Sequence, residues 1–205
     1  FKTMNINTLS AKALLGVTLL TMMLSSCGRK SGGFCYAELA LIHGADSIMR
    51  VLTVDDPADS IVLRTASSDL PAEALLSSDY DALARLMVAT VTHPSQDGVG
   101  IAGPQVGLNR RVVAVQRFDK EGEPFEVYPN ISIVWASDSL EAGPEGCLSV
   151  PDRREDVMRS TEIEIEYADS STGYETVRER VSGFTAVIFQ HEIDHLDGIL
   201  YIDRL

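Results

Sequence analysis

Positive charge is scarce in this chain: 17 Lys and Arg stand against 30 Asp and Glu in 205 residues, a formal net charge of −13. A nucleic-acid partner needs a cationic footprint to meet its phosphates, so no nucleic acid is expected. Cysteine is also scarce. Three in this length do not make a disulfide framework, so each is read singly. The apolar run Ala13 to Leu24 would span about 18 Å as a helix, short of a ~30 Å hydrocarbon core, which excludes a standard transmembrane helix there. Internal repeats and low-complexity tracts are missing. What remains, 45% hydrophobic and 23% charged, is the composition of a chain that buries a core.

The first 27 residues read as a processing signal rather than as fold. Lys2 and Lys12 occur with no acid, the apolar run follows, and Ser25 and Ser26 lead to Cys27. Leu24-Ser25-Ser26-Cys27 resembles the lipobox of bacterial lipoproteins, in which the cysteine is lipidated and becomes the first mature residue. The expectation is an exported protein anchored to a membrane through Cys27. A cytoplasmic location is the alternative if the segment is not a working signal. Residues 28–47 are small, mixed and unpatterned, which suits a tether, and Cys35 within it reads as a free thiol with no role.

Residues 48–205 read as one domain. Asp79 is placed to cap a helix running to about Thr92, because Leu83, Leu86, Met87 and Val91 share one 3.6-period face. Asp97 to Gln105 is a Gly/Pro-rich loop, and Arg111 to Gln116 and Asn130 to Trp135 read as buried strands. Glu162 to Tyr167 alternates cleanly between apolar and acidic residues, Asp169 to Gly173 turns the chain, and Tyr174 to Val181 returns as a second strand. Ser182 is placed to cap a last helix over Gly183 to Leu196, ended by Asp197-Gly198. Strands precede a late helix, so the expected class is α+β, with antiparallel or mixed sheets packed around that helix.

The chemistry concentrates on His191-Glu192-Ile193-Asp194-His195. Residues four apart on a helix point the same way, so His191 and His195 can hold one divalent metal. Glu192 then lies where a carboxylate can take a proton from water. Catalytic metal sites of this kind usually have three protein ligands. The third can come from Asp197 or Asp203 downstream, or from Cys147 in Glu145-Gly146-Cys147-Leu148-Ser149, whose thiolate suits zinc or ferrous iron. Alone, Cys147 would read as a buried core thiol; beside this helix the ligand reading is preferred. The loop Gly98-Val99-Gly100-Ile101-Ala102-Gly103-Pro104-Gln105 lets backbone approach a ligand, and Gln105 offers an amide donor to a developing oxyanion.

Taken together, GVGIAGPQ (98–105), EGCLS (145–149) and QHEIDHLDG (190–198) resemble, in order, the three signature segments of the peptide deformylase family. The resemblance runs from about Met49 to Leu205. It implies that Cys147, His191 and His195 ligate one divalent metal, usually ferrous iron and replaceable by zinc, nickel or cobalt. It implies an N-formylmethionyl peptide as substrate, Glu192 as proton carrier, and Gln105 with the Leu148 backbone N–H as oxyanion donors. Gly98, Val99 and Gly100 would line a groove that takes the peptide as an added β-strand. Departures are Gly103, where the family has a second alanine and which is expected to loosen the loop, the order Pro129-Asn130, Asp152, and Val187. Two rivals share the metal centre: a general metallopeptidase or amidase, and a non-catalytic surface lipoprotein that the metal merely stabilises.

Overall fold

The structure, a computed structural model, describes residues 30–31 and 33–205. The expected signal segment and Cys27 lie outside the described residues. The alternating stretch forms strand β9 (Glu162–Asp169), with Ile163 and Ile165 buried as the pattern requires. It pairs antiparallel with β10 (Glu175–Ser182) on one side, in register from Glu175 opposite Asp169 to Ser182 opposite Glu162. On its other side lies β6 (Ser132–Ala136), with a register shift between Ile133 and Trp135. The connecting turn is capped by Asp169, whose side chain accepts from Ser171 N–H, and closed by Gly173 at φ +78°.

A second antiparallel sheet has the order β3 (Gly100–Ala102), β4 (Val112–Gln116), β5 (Phe125–Pro129). β4 is buried on both faces. Val112 and Ala114 join one apolar cluster, and Val113 and Val115 join the other. The remaining long strands, β7 (Leu140–Cys147) and β8 (Val150–Ser160), form a separate hairpin whose register slips between Gly146 and Cys147. All named strand pairs are antiparallel; among the described residues the one parallel contact is an isolated bridge between Ser68 and Arg110. The α+β expectation holds, and the sheets are antiparallel rather than mixed.

The structure moves several expected boundaries. A short helix α1 (Tyr36–His43) occupies much of the stretch read as a tether, behind β1 (Lys30–Ser31) and β2 (Phe34–Cys35). Phe34 and Ile42 are buried in the first cluster, and Cys35 is buried beside them. At Gly33 (φ +82°) an added Cβ would fall 2.7 Å from Ala74 Cβ, so the segment is seated closely rather than tethered. Ile61 to Leu63 end a helix, α2 (Pro57–Leu63), with Pro57 in its first turn and Asp56 accepting from Ala58 N–H. After α3 (Ala72–Leu75) comes α4 (Ser78–Val91), capped by Ser77 and not by Asp79, which sits in the first turn. Asn130 lies outside its expected strand at φ +55°, and its carboxamide bridges the N–H and C=O of Leu70.

The last helix, α5 (Gly183–Leu196), keeps its expected bounds. Ser182 stands at its N-cap without a side-chain cap bond, and Gly198 at φ +74° follows its end. It packs against β3, β4, β8 and β10, so it touches both three-stranded sheets and the hairpin.

Because Phe34 is fully buried, Phe34→Ala is expected to cost about 3–5 kcal/mol of stability by urea unfolding, against at most about 0.5 kcal/mol for Tyr36→Ala on the exposed side of α1. Equal, small losses would restore the tether reading.

Candidate metal centre and active-site cleft

The last two turns of α5 bury Gln190, His191, Glu192, Asp194 and His195. Buried polar groups are costly unless each finds a partner. The Gln190 carboxamide clamps Ser160 of β8, accepting from its N–H at 3.0 Å and donating to its C=O at 2.9 Å. Asp194 accepts from Arg159 at 2.6 Å and from Arg204 at 2.5 Å. Arg159 also grips Glu145 of β7 with two N–H groups, at 2.7 and 3.0 Å.

Glu145 completes the chain of contacts to His191, accepting from Nδ1–H at 2.7 Å. That bond leaves Nε2 as the lone pair for a metal. Burial would raise the Glu145 carboxyl, but the hydrogen bonds from His191 and Arg159 outweigh it and hold it at about 2. Burial likewise opposes charge on His191, yet the Cys147 and Glu145 hydrogen bonds push it up to about 10. This corner therefore favours added positive charge. His195 is held neutral by burial, well below the usual imidazole range, which keeps a lone pair available. The rings of His191 and Tyr201 stack at 5.9 Å, and Tyr201 O–H donates to the Arg153 C=O.

Cys147 arrives from the register slip at the end of β7, where a bulge re-aims a side chain. Its Sγ lies 3.2 Å from His195 Nε2, and the ligating atoms of Cys147, His191 and His195 all lie within 4.8 Å of one another. The downstream acids are engaged elsewhere: Asp197 with Arg111, and Asp203 with Arg64 and the Leu200 N–H. One thiol and two imidazoles from separate segments are a donor set that fits zinc or ferrous iron.

Glu192 is buried next to this group, and its Oε2 has no partner among the described residues. Burial raises its carboxyl to about 7. Gly100 is the residue that lets it fit: a Cβ there would fall 2.5 Å from Glu192 Oε1. Gln105 sits in the 3₁₀ turn after β3, its Oε1 fixed by the Ala102 N–H at 2.8 Å and its Nε2 donating to Ser149 Oγ at 3.2 Å. Gly103 does not loosen this turn. A Cβ there would lie 2.6 Å from the Arg110 carbonyl oxygen and 2.8 Å from that of Leu108, so the backbone closes tightly over it.

These groups open on a cleft of about 860 Å³ lined by Gly98, Val99, Gly100, Leu148 and Glu192 among others. Among the described residues β3 pairs with β4 alone, which makes it an edge strand of its sheet, and its Gly100 lies on the cleft wall. The structure thus brings together the expected residues of all three motifs. Sequence reasoning missed Glu145, Arg159 and Asp194 as a linked set. A signal was there: an aspartate inside a helix motif expected to be buried demands a cation, and Arg159 is the cation that reaches it.

The polypeptide deformylase family model matches residues 48–205. Curated peptide deformylases from Caulobacter sp. strain K31 and Leptospira biflexa are 40% identical over 162 residues and 33% over 166, each covering 78% of this chain and 88% of the relative. A solved class I type b peptide deformylase from Acinetobacter baumannii with Met-Ala-Ser bound is 33% identical, with TM-score 0.69 over 78% of this chain and all of that one. Peptide deformylase from Thermotoga maritima gives 31% and 0.66, over 77% and 97%.

Glu145→Gln keeps the shape of the side chain but weakens its grip on Arg159 and His191. Zinc affinity by chelator competition is expected to fall about 10–100-fold with the far-UV spectrum unchanged. Unaltered affinity would show that this carboxylate does not orient the imidazole.

Proposed function

Because the chain belongs to the polypeptide deformylase family, hydrolases that remove the formyl group from the amino terminus of peptides, we propose that Cys147, His191 and His195 hold the divalent metal for that reaction and that Glu192 carries its proton. The observation behind this reading is a sulfur and two imidazoles gathered within 4.8 Å, beside a buried carboxylate with a partnerless oxygen. When bound, the metal supplies a Lewis acid that polarises the formyl carbonyl and makes a water molecule more acidic. Ferrous iron is the expected ion, with zinc, nickel or cobalt able to replace it.

The chain's own residues do the rest. A formylmethionyl peptide lies along the free edge of β3, adding a strand whose backbone bonds with Gly98 to Gly100 set its register. Glu192, poised near neutral pH by burial, accepts the proton of the attacking water and returns it to the leaving amine. The Gln105 side-chain N–H and the Leu148 backbone N–H donate to the oxygen as it gains charge. Gln105 is held for this by its own Oε1, which leaves only the NH₂ end to face the cleft. The products are formate and a free amino terminus. The relatives lend no support to the metallopeptidase or non-catalytic readings.

The lipobox-like end at Cys27 supports an exported, membrane-anchored enzyme, which would meet formylated peptides outside the cytoplasm. Labelled palmitate is expected to enter the native chain and not Cys27→Ala; equal labelling of both rejects the anchor.

Glu192→Gln is expected to retain one metal per chain and to lose about 10²–10⁴-fold in formate release from formyl-Met-Ala-Ser. Gly100→Ala, which pushes a methyl against Glu192, is expected to lose about 10²-fold with the fold intact. Turnover within a few-fold of the native enzyme in both variants would remove Glu192 from the reaction.

A further inference from the structure

Helix α1 lies outside the residues that the family model matches, yet it is fastened to the loop that carries Gln105. Glu38 is the fastening. Its carboxylate accepts from Arg110 Nε at 2.5 Å and from Nη2 at 3.1 Å, a two-point grip on a guanidinium that is itself buried. Glu38 also accepts from the Cys35 N–H at 2.7 Å, which holds the carboxylate at the start of the helix. One turn further on, Leu41 Cδ1 lies 3.3 Å from where a Cβ on Gly107 would be. Arg110 Nη1 donates in turn to Ser68 Oγ and to the Asp69 C=O.

From Arg110 the contacts run back to Gly103 and Pro104, the residues just before Gln105. The Arg110 N–H donates to the Leu108 C=O at 2.7 Å, the Leu108 N–H to the Gly103 C=O at 2.9 Å, and the Gly107 N–H to the Pro104 C=O at 3.1 Å. The carbonyls of Arg110 and Leu108 press on Gly103, where no Cβ fits. Residues 103–110 thus form a closed knot of backbone bonds, with Gln105 on the cleft side and Arg110 gripped by α1. A shift at Arg110 is carried to Gln105 because close-packed backbone does not absorb it.

We propose that Glu38 is a positioning residue for Gln105: through Arg110 it sets where the knot 103–110 presents the Gln105 amide to the reacting carbonyl. The inference rests on the reading of Gln105 as an oxyanion donor. That donor acts only if it meets the oxygen as charge develops, and a displacement of about 1 Å is enough to lose most of its effect.

A double-mutant cycle on the metal-loaded full chain, with formyl-Met-Ala-Ser, tests this at a temperature where circular dichroism shows every variant folded. Gln105→Ala is expected to lose about 10²–10³-fold in kcat. Glu38→Gln, and Arg110→Lys as the partner-side variant that keeps charge but loses the fork, are expected to lose about 10-fold in kcat with KM within about 2-fold. Neither is expected to lower kcat further when Gln105 is already alanine. Phe34→Ala, which weakens the same segment without touching the ion pair, is expected to leave kcat of the folded protein unchanged. If Glu38→Gln and Arg110→Lys leave kcat intact, or lower it equally with and without Gln105, the positioning role is overturned while Gln105 keeps its own. An inert Gln105→Ala overturns the oxyanion reading and this inference with it.

Discussion

The catalytic end of the molecule depends on one buried cation. Arg159 is 5% exposed and lies between Glu145 of β7 and Asp194 of α5, with Arg204 closing the far side of Asp194. A buried charge without its partners is destabilising by about 3–5 kcal/mol, so these side chains are present together or not at all. The consequence is geometric. The carboxylate that holds Arg159 also holds His191 Nδ1, so the direction of this imidazole is set by the scaffold. The same bonds explain how a helix can bury five polar side chains in its last two turns. Gln190 is paid in backbone bonds, Asp194 in guanidinium bonds, and His191 in a carboxylate bond. Glu192 Oε2 and His195 Nδ1 are left without partners among the described residues.

Two glycines show why the loop before Gln105 has its composition. Both have ordinary backbone angles, so the reason is space. At Gly100 the competing object is the Glu192 carboxylate, and at Gly103 it is a pair of carbonyl oxygens. The first glycine makes room for the buried Glu192 carboxylate beside the edge strand β3. The second lets the chain fold back on itself so that Gln105 is held by its neighbours. A methyl group would disturb a different function at each place.

Much of this was legible from residue order. The period-3.6 pattern located α4 and the period-2 pattern β9 to within a residue or two, because each has one face in a core and one outside it; cap, stop and turn residues located α5 and β10. That His191 and His195 would face the same way was legible because residues four apart on a helix share a face, and the structure gathers both with Cys147. The β7–β8 hairpin was not. Both of its strands are largely exposed, so Leu140–Cys147 and Val150–Ser160 carry no clean alternation to find. The segment of β2 and α1 was missed for a related reason: Phe34 of β2 and Ile42 of α1 bury themselves against distant elements that the local sequence does not announce. Ser77 capped α4 in place of Asp79 because an acid in the first turn and a cap two residues earlier are equally consistent with the charge pattern. The Glu145–Arg159–Asp194 set spans three elements and became readable only once their register was known.

The central claim is that one sulfur and two imidazole nitrogens from separate segments share a single cation. X-ray absorption at the zinc edge of the zinc-loaded full chain measures this directly. The account predicts one sulfur neighbour at about 2.3 Å and two nitrogens at about 2.0–2.1 Å, for one ion per chain. A first shell of nitrogen and oxygen alone, with no sulfur, would contradict it.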